Sequence, residues 1–179
     1  RLAVIRIAVA ANARDQIAGR VQHGHETSAA ASRTATMRDD FCAFILTHGR
    51  PDRVITYDTL IKSGYTGKVF IVIDDEDKTA DAYREKFGDK VLQFCKADYA
   101  ASTDEGDNFQ HRKAIVYARN ACWELAKQVG CRWFCQMDDD YTGFELRHDS
   151  QNKPCSPAIR TRMDATIQSL LEFFQKTKA

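Results

Sequence analysis

The chain has 179 residues, 44% of them hydrophobic and 28% charged, enough for one domain with an ordinary core. Its 26 basic and 25 acidic residues leave a net charge of +1, which excludes a polybasic module that grips nucleic acid by bulk charge alone. Three prolines, nine glycines and 10% aromatics exclude a disordered or collagen-like chain, and no apolar run approaches the roughly 20 residues of a membrane helix. A soluble, cytoplasmic protein with no membrane partner is expected. The six cysteines contain no C-x-x-C, and five lie in or beside apolar segments, so they read as reduced thiols packed as small hydrophobes.

Residues 1–36 differ from the rest. They hold five arginines, no lysine, two acids and ten alanines, whereas residues 37–179 carry 21 basic against 23 acidic side chains, a balance of −2. An organelle transit leader and a cloning remnant or upstream read-through both fit, and the second is preferred, with Met37 as the natural start. The reading therefore sets 1–36 apart and takes 37–179 as one domain.

From Met37 the elements follow in order. Residues 41–46 are a continuous apolar run ending at Thr47-His48-Gly49-Arg50-Pro51, which reads as a buried strand and its turn. Asp52 can cap a helix over about 53–63, with Val54, Ile55, Leu60 and Ile61 inward and Gly64 as its stop. Residues 68–73 form a second strand running into Asp74-Asp75, followed by a polar helix over about 78–87 that stops at Gly88. Residues 91–95 make a third strand and 98–108 an acidic loop. The longest helical stripe spans about 109–129 and ends at Gly130, and 132–137 is a fourth strand with Asp138-Asp139-Asp140 at its carboxyl end. A last amphipathic helix covers about 157–175, with Ile159, Met163, Ile167, Leu170, Leu171 and Phe174 inward.

This alternation predicts an α/β fold with a mostly parallel sheet flanked by helices. Ligands in such sheets bind outside the carboxyl ends of the strands, and three of the four strand ends here carry conspicuous polar residues. In an extended segment Asp138 and Asp140 point to one side and Asp139 to the other, so two hard oxygen donors could hold Mg²⁺ or Mn²⁺ together with substrate phosphates. A solvated acidic turn is the plain alternative. Asp74 and Asp75 could accept hydrogen bonds from a ribose or base, or Asp75 could cap the next helix. Arg50 could reach a phosphate or a base edge, or be a surface arginine. Arg119, inside an apolar helical stripe, requires a partner, which an acid of the strand-end cluster or a ligand phosphate would supply. His111, Arg112 and Lys113 read as a solvated face.

Taken in order, Ile45-Leu-Thr-His-Gly-Arg-Pro, Val72-Ile-Asp-Asp-Glu, Ala118-Arg-Asn-Ala and Gln136-Met-Asp-Asp-Asp-Tyr resemble the GT-A class of nucleotide-sugar glycosyltransferases. Within it they look most like the TET-associated glycosyltransferases of bacteriophages, which act on hydroxymethylated pyrimidines in DNA. The resemblance covers about residues 40–149 and implies a GT-A-like, Rossmann-like sheet. It implies Asp138 and Asp140 as the metal-binding D-x-D pair and Asp139 near the ribose or sugar. Thr47, Arg50 and Asp74, with Asp75 beside it, would bind the base and ribose, and Arg119 would face the donor pocket. The implied cofactors are Mg²⁺ or Mn²⁺ and a nucleotide-sugar, a UDP-sugar first, and the implied acceptor partner is modified phage DNA in the host cytoplasm. GT-A enzymes usually continue well past the D-x-D, while 39 residues follow Asp140 here, so the resemblance implies either a nucleotide-binding half cut short after that strand or an acceptor half that comes from elsewhere. No catalytic base is assigned; His148 and Asp149 read better as loop residues than as a base or a further metal ligand.

Two rival readings stand beside this one. A nucleotidyltransferase has a similar sheet and paired carboxylates, but it usually carries a glycine-rich phosphate loop where Thr-His-Gly-Arg-Pro supplies one glycine. A non-catalytic nucleotide-binding module of a larger protein would also account for the short segment after Asp140.

Overall fold

The computed structural model describes residues 6–9, 36–100, 103, 115–148, 151, 153–160 and 162–177. Its elements are β1 (Arg6–Val9), β2 (Phe41–Leu46), α1 (Ile55–Lys62), β3 (Lys68–Asp74), α2 (Ala80–Phe87), β4 (Val91–Phe94), α3 (Lys96–Ala100), α4 (Val116–Gln128), β5 (Trp133–Asp138), β6 (Glu145–His148), β7 (Pro154–Arg160) and α5 (Met163–Thr177).

Five strands form one sheet in the order β1-β5-β2-β3-β4. Strands β5, β2, β3 and β4 run parallel, and β1 lies antiparallel on the outer edge of β5, with Arg6 opposite Gln136 and Val9 opposite Trp133. This is the α/β, Rossmann-like arrangement expected from the alternation of apolar runs and helical stripes. From β2 the chain steps outward to β3 and β4, then returns through α4 to lay β5 on the other side of β2. The winding direction therefore reverses between β2 and β5, the place where open α/β sheets leave a crevice at their carboxyl edge.

The strands are apolar on both faces because helices cover both. In β2, Phe41, Ala43 and Ile45 face one layer while Cys42, Phe44 and Leu46 face the other, as the two-residue period of a strand requires. The first layer receives Leu60 of α1, Tyr83 of α2 and Met163, Ile167 and Leu171 of α5. The second receives Tyr117, Ala121, Cys122, Leu125 and Ala126 of α4. The buried Leu, Ile and Met side chains among these contribute on the order of 1.5–3 kcal/mol each. Glycines at positive φ close three of the helices: Gly64 at +81° after α1, Gly88 at +56° after α2 and Gly130 at +69° after α4.

Several boundaries move. The first helix starts after a 3₁₀ turn at Pro51–Arg53, and Asp52 makes no capping bond there. Of the four residues expected inward, Val54 and Leu60 are buried, whereas Ile55 and Ile61 are 40% and 46% exposed and Thr56 is buried in their place. Residues 96–100, partly assigned to a loop, form α3. The long helix is described from Val116, and its expected first turns, with His111, Arg112 and Lys113, fall outside the described residues.

The last helix begins at Met163, not 157. Residues 154–160 form β7 of a two-stranded antiparallel sheet in which Ile159 pairs with Leu146. Pro157 suits the first position of a helix, so it gave no warning, and both Pro154 and Pro157 are tolerated in β7 because each strand of a two-stranded sheet is an edge. The start of α5 is held elsewhere: Met163 N–H donates to the Ser63 carbonyl at 2.9 Å. The buried Asp164 carboxylate also accepts the Thr66 N–H at 3.0 Å and the Thr66 hydroxyl at 2.7 Å. Among the described residues, Cys42, Cys95, Cys122, Cys131 and Cys135 are free thiols, and no helix is long and apolar enough to cross a membrane.

Candidate donor site at the carboxyl edge

A cleft of about 600 Å³ opens over the carboxyl ends of β2, β3, β4 and β5. Thr47, Arg50, Asp74, Arg119, Asp138, Asp139 and Asp140 all line it. The polar strand ends picked out in the sequence thus converge on one space. Asp75 is the exception: it lies outside that lining and accepts the Lys96 N–H at 2.9 Å. That bond holds its carboxyl below the ordinary range.

On the β2 side the acidic turn is bracketed by the residues after Leu46. Asp139 is 1% exposed; its Oδ2 accepts the Thr47 hydroxyl at 2.6 Å and its Oδ1 accepts Nη2 of Arg50 at 2.8 Å. Since Thr47 has one proton and gives it to Asp139, the 2.8 Å contact between Thr47 Oγ1 and Tyr83 Oη is a hydrogen bond donated by the tyrosine. Tyr83 Oη in turn accepts the Arg50 N–H at 2.8 Å. Burial pushes the Tyr83 hydroxyl above its ordinary value, which keeps that proton in place. Asp139 is therefore the buried anchor of this corner, and Arg50 extends from it half-exposed into the cleft.

Between them Gly49 takes φ +68°, the left-handed region in which a side chain is strained. Its N–H donates to Asp77 Oδ2 at 2.7 Å. Burial alone would raise the Asp77 carboxyl, but hydrogen bonds from the Thr79 hydroxyl, the Gly49 N–H and the Thr79 N–H carry it below its ordinary value.

At the β3 end, Asp74 sits between two basic groups. His48 Nδ1 lies 2.7 Å from Asp74 Oδ2, and Lys96 Nζ lies 3.1 Å from Oδ1. Lys96 is 6% exposed, and Glu76 accepts from its amine at 3.4 Å. Lysine is almost never buried without a paired acid, so its position is explained by Asp74. The β4 strand end, which looked apolar in sequence, contributes to the site through this residue.

On the β5 side the periods of strand and helix bring Asp138 and Arg119 together. Phe134, Gln136 and Asp138 project toward α4, on which Arg119 precedes the buried Cys122 by one turn. Arg119 Nη2 donates to Asp138 Oδ1 at 3.1 Å, and Gln136 Nε2 donates to the Arg119 carbonyl at 2.7 Å. The partner that Arg119 required is thus an acid of the cluster. Each of the three basic side chains Arg50, Lys96 and Arg119 faces one of the carboxylates Asp139, Asp74 and Asp138.

Asp138 and Asp140 line the cleft two residues apart and offer hard oxygen donors. Among the described residues no three His, Cys, Asp or Glu side chains gather at one point. Two carboxylates are compatible with a Mg²⁺-type ion, which takes one or two such groups from a protein when substrate phosphate and water complete its shell. Sequence reasoning missed Tyr83, Asp77 and Lys96. None stands at an expected site position, and only the third dimension brings them to it. The side chain of His148 and all of Asp149 lie outside the described residues.

No protein of curated function and no solved structure shows significant similarity to the chain. The model of one family, described as TET-Associated Glycosyltransferase, matches residues 41–179, the span that holds the parallel sheet, the cleft and every expected site residue. By that match the chain belongs to the TET-associated glycosyltransferase family.

Proposed function

We propose that the cleft binds a nucleotide-sugar, a UDP-sugar first, with a divalent cation at Asp138 and Asp140, and that the sugar passes to an acceptor hydroxyl. The observation that carries this reading is the convergence of Thr47, Arg50, Asp74, Arg119 and the acidic turn on one cleft at the winding reversal of the sheet. Arg50, Lys96 and Arg119 stand within that cleft and offer cationic donors to a diphosphate.

In the transfer, the acceptor oxygen forms a bond to the anomeric carbon as the bond from that carbon to the diphosphate oxygen breaks. The electron pair leaves with the nucleoside diphosphate, and the hydroxyl proton passes to a base. A bound Mg²⁺ or Mn²⁺ would supply stabilisation of the charge on the departing phosphate oxygen. Arg119 and Arg50 add fixed positive charge on either side of the acidic turn. The proposed acceptor is a hydroxymethylated pyrimidine in DNA, supported by membership of the family and not by charge, since residues 37–179 are near neutral.

Calorimetric titration with UDP and with UDP-glucose, each in Mn²⁺ and in EDTA, tests the donor site. Binding that requires Mn²⁺ is expected, and the absence of nucleotide binding by a folded sample would sink the reading. Incubation with UDP-[¹⁴C]glucose and duplexes containing 5-hydroxymethylcytosine or plain cytosine tests the acceptor. Label on the modified duplex alone is expected, and equal labelling of both, or of neither, rejects that acceptor.

A further inference from the structure

Thr56 stands in the first turn of α1 and is fully buried, although its helix exposes Ile55 beside it. A buried threonine requires partners for its hydroxyl, and both capacities of this one are used on a single loop. Thr56 Oγ1 donates to the Asp138 carbonyl at 2.6 Å and accepts the Tyr141 N–H at 2.8 Å. Its backbone N–H, one of the donors a helix start leaves without a partner in the helix, donates to the Asp139 carbonyl at 3.1 Å.

These three bonds fall on three successive peptide units. The Asp138 carbonyl belongs to the unit joining 138 and 139, the Asp139 carbonyl to the next, and the Tyr141 N–H to the unit joining 140 and 141. The direction of a Cα–Cβ bond follows from the two peptide planes that flank it. Both planes around Asp139 and both around Asp140 are therefore held by Thr56, while Asp138 is held by its pairing with Leu46 in the sheet.

We propose that Thr56 is the positioning residue of the acidic turn, setting the separation of the Asp138 and Asp140 carboxylates for the cation and the donor diphosphate. The proposal rests on the donor-site reading above. Thr56→Val keeps the shape and the backbone bond to the Asp139 carbonyl, but loses both hydroxyl bonds and so frees the 138–139 and 140–141 planes, one beside each of Asp139 and Asp140. Groups that orient metal ligands without touching the metal change affinity by about 10- to 100-fold.

The test is titration of UDP binding against Mn²⁺ for the parent chain, Thr56→Val and Thr56→Ser, followed by calorimetry. In Thr56→Val the half-saturating Mn²⁺ should rise about 10-fold or more at unchanged stoichiometry, and Thr56→Ser should return it near the parent value. A purely structural role would instead lower the stoichiometry, as part of the sample unfolds, and leave half-saturation alone. That result overturns the proposal, as does a Thr56→Ser variant as impaired as Thr56→Val. If Thr56→Val does not fold, Thr56→Cys, similar in size with a weak donor, replaces it under the same criteria. Parent binding with an unaffected variant rejects Thr56's role alone; a parent chain without Mn²⁺-dependent binding rejects the donor-site reading and this proposal together.

Discussion

A carboxylate at the amino end of the parallel strands and three that line the cleft at the other end are satisfied in opposite ways. At the amino end of β3, Asp164 accepts two hydrogen bonds from Thr66, whose hydroxyl also accepts the Met37 N–H at 2.9 Å. Every donor there is neutral, and the group ties α5 to the loop before β3. At the carboxyl end, Asp74, Asp138 and Asp139 each meet a cation, and all line an open cleft. A carboxylate satisfied by backbone and hydroxyl in a closed place is structural. Carboxylates balanced by cations around a space hold charge that a ligand can rearrange.

The largest expected effect sharpens that contrast. Asp140→Asn or Asp138→Asn should lower Mn²⁺-dependent UDP affinity by about 100-fold or more, about 2.7 kcal/mol, with little change in Tm. Asp164→Ala should do the reverse: about 2–3 kcal/mol of stability lost by urea denaturation, with UDP affinity kept. If Asp164→Ala weakens donor binding at constant folded fraction, the two ends are coupled and the distinction fails. Asp139 stands between the classes, buried yet at the site. Asp139→Ala should cost about 2 kcal/mol of stability and also weaken UDP binding, because Thr47 and Arg50 lose the group that orients them.

The smallest effect is one of pH. The Asp77 carboxyl lies below its ordinary value of 3.8, so its stabilisation is complete above that value and is lost as pH falls through the folded value. Asp77→Asn should therefore be less stable than the parent at pH 7, by about 1 kcal/mol, with the gap closing below pH 3.8. Paired urea denaturations at pH 7 and pH 3 would show this, and a gap that persists at the lower pH would contradict it.

Much of the fold was legible because its central strands are short, continuous apolar runs ended by turn residues. Phe41–Leu46 and Trp133–Asp138 emerge within a residue of their expected bounds. The resemblance and the strand ends also marked the cleft residues, which the fold then brings together. What was hidden lay in side chains whose partners are distant in sequence. Lys96 reads as a surface lysine until Asp74, on the neighbouring strand, is seen beside it. Thr56 reads as a polar position on α1 until the acidic turn occupies its hydroxyl, and that exchange of inward positions displaced Ile55 and Ile61. Residues 154–160 misled because the apolar Ile159 sits four positions before Met163 and mimics a helical turn, whereas in β7 it is a strand residue opposite Leu146.

The hydrogen bond from Gln136 to the Arg119 carbonyl bears on how the pocket could be re-engineered. Gln136 and Asp138 are two residues apart on one strand face, about 6.8 Å, and α4 meets the first through its backbone and the second through its guanidinium. The helix is thereby locked in register against β5, and sliding it would break a largely buried amide bond. On the proposed reading of the cleft, a donor with a different sugar or base would not be admitted by moving this wall. Room for it would come from the opposite one, where the exposed His48 and Gly49 follow β2 and the Asp74–Thr79 turn leads β3 into α2. A library aimed at altered donor choice should vary that side and leave Gln136 and Arg119 untouched.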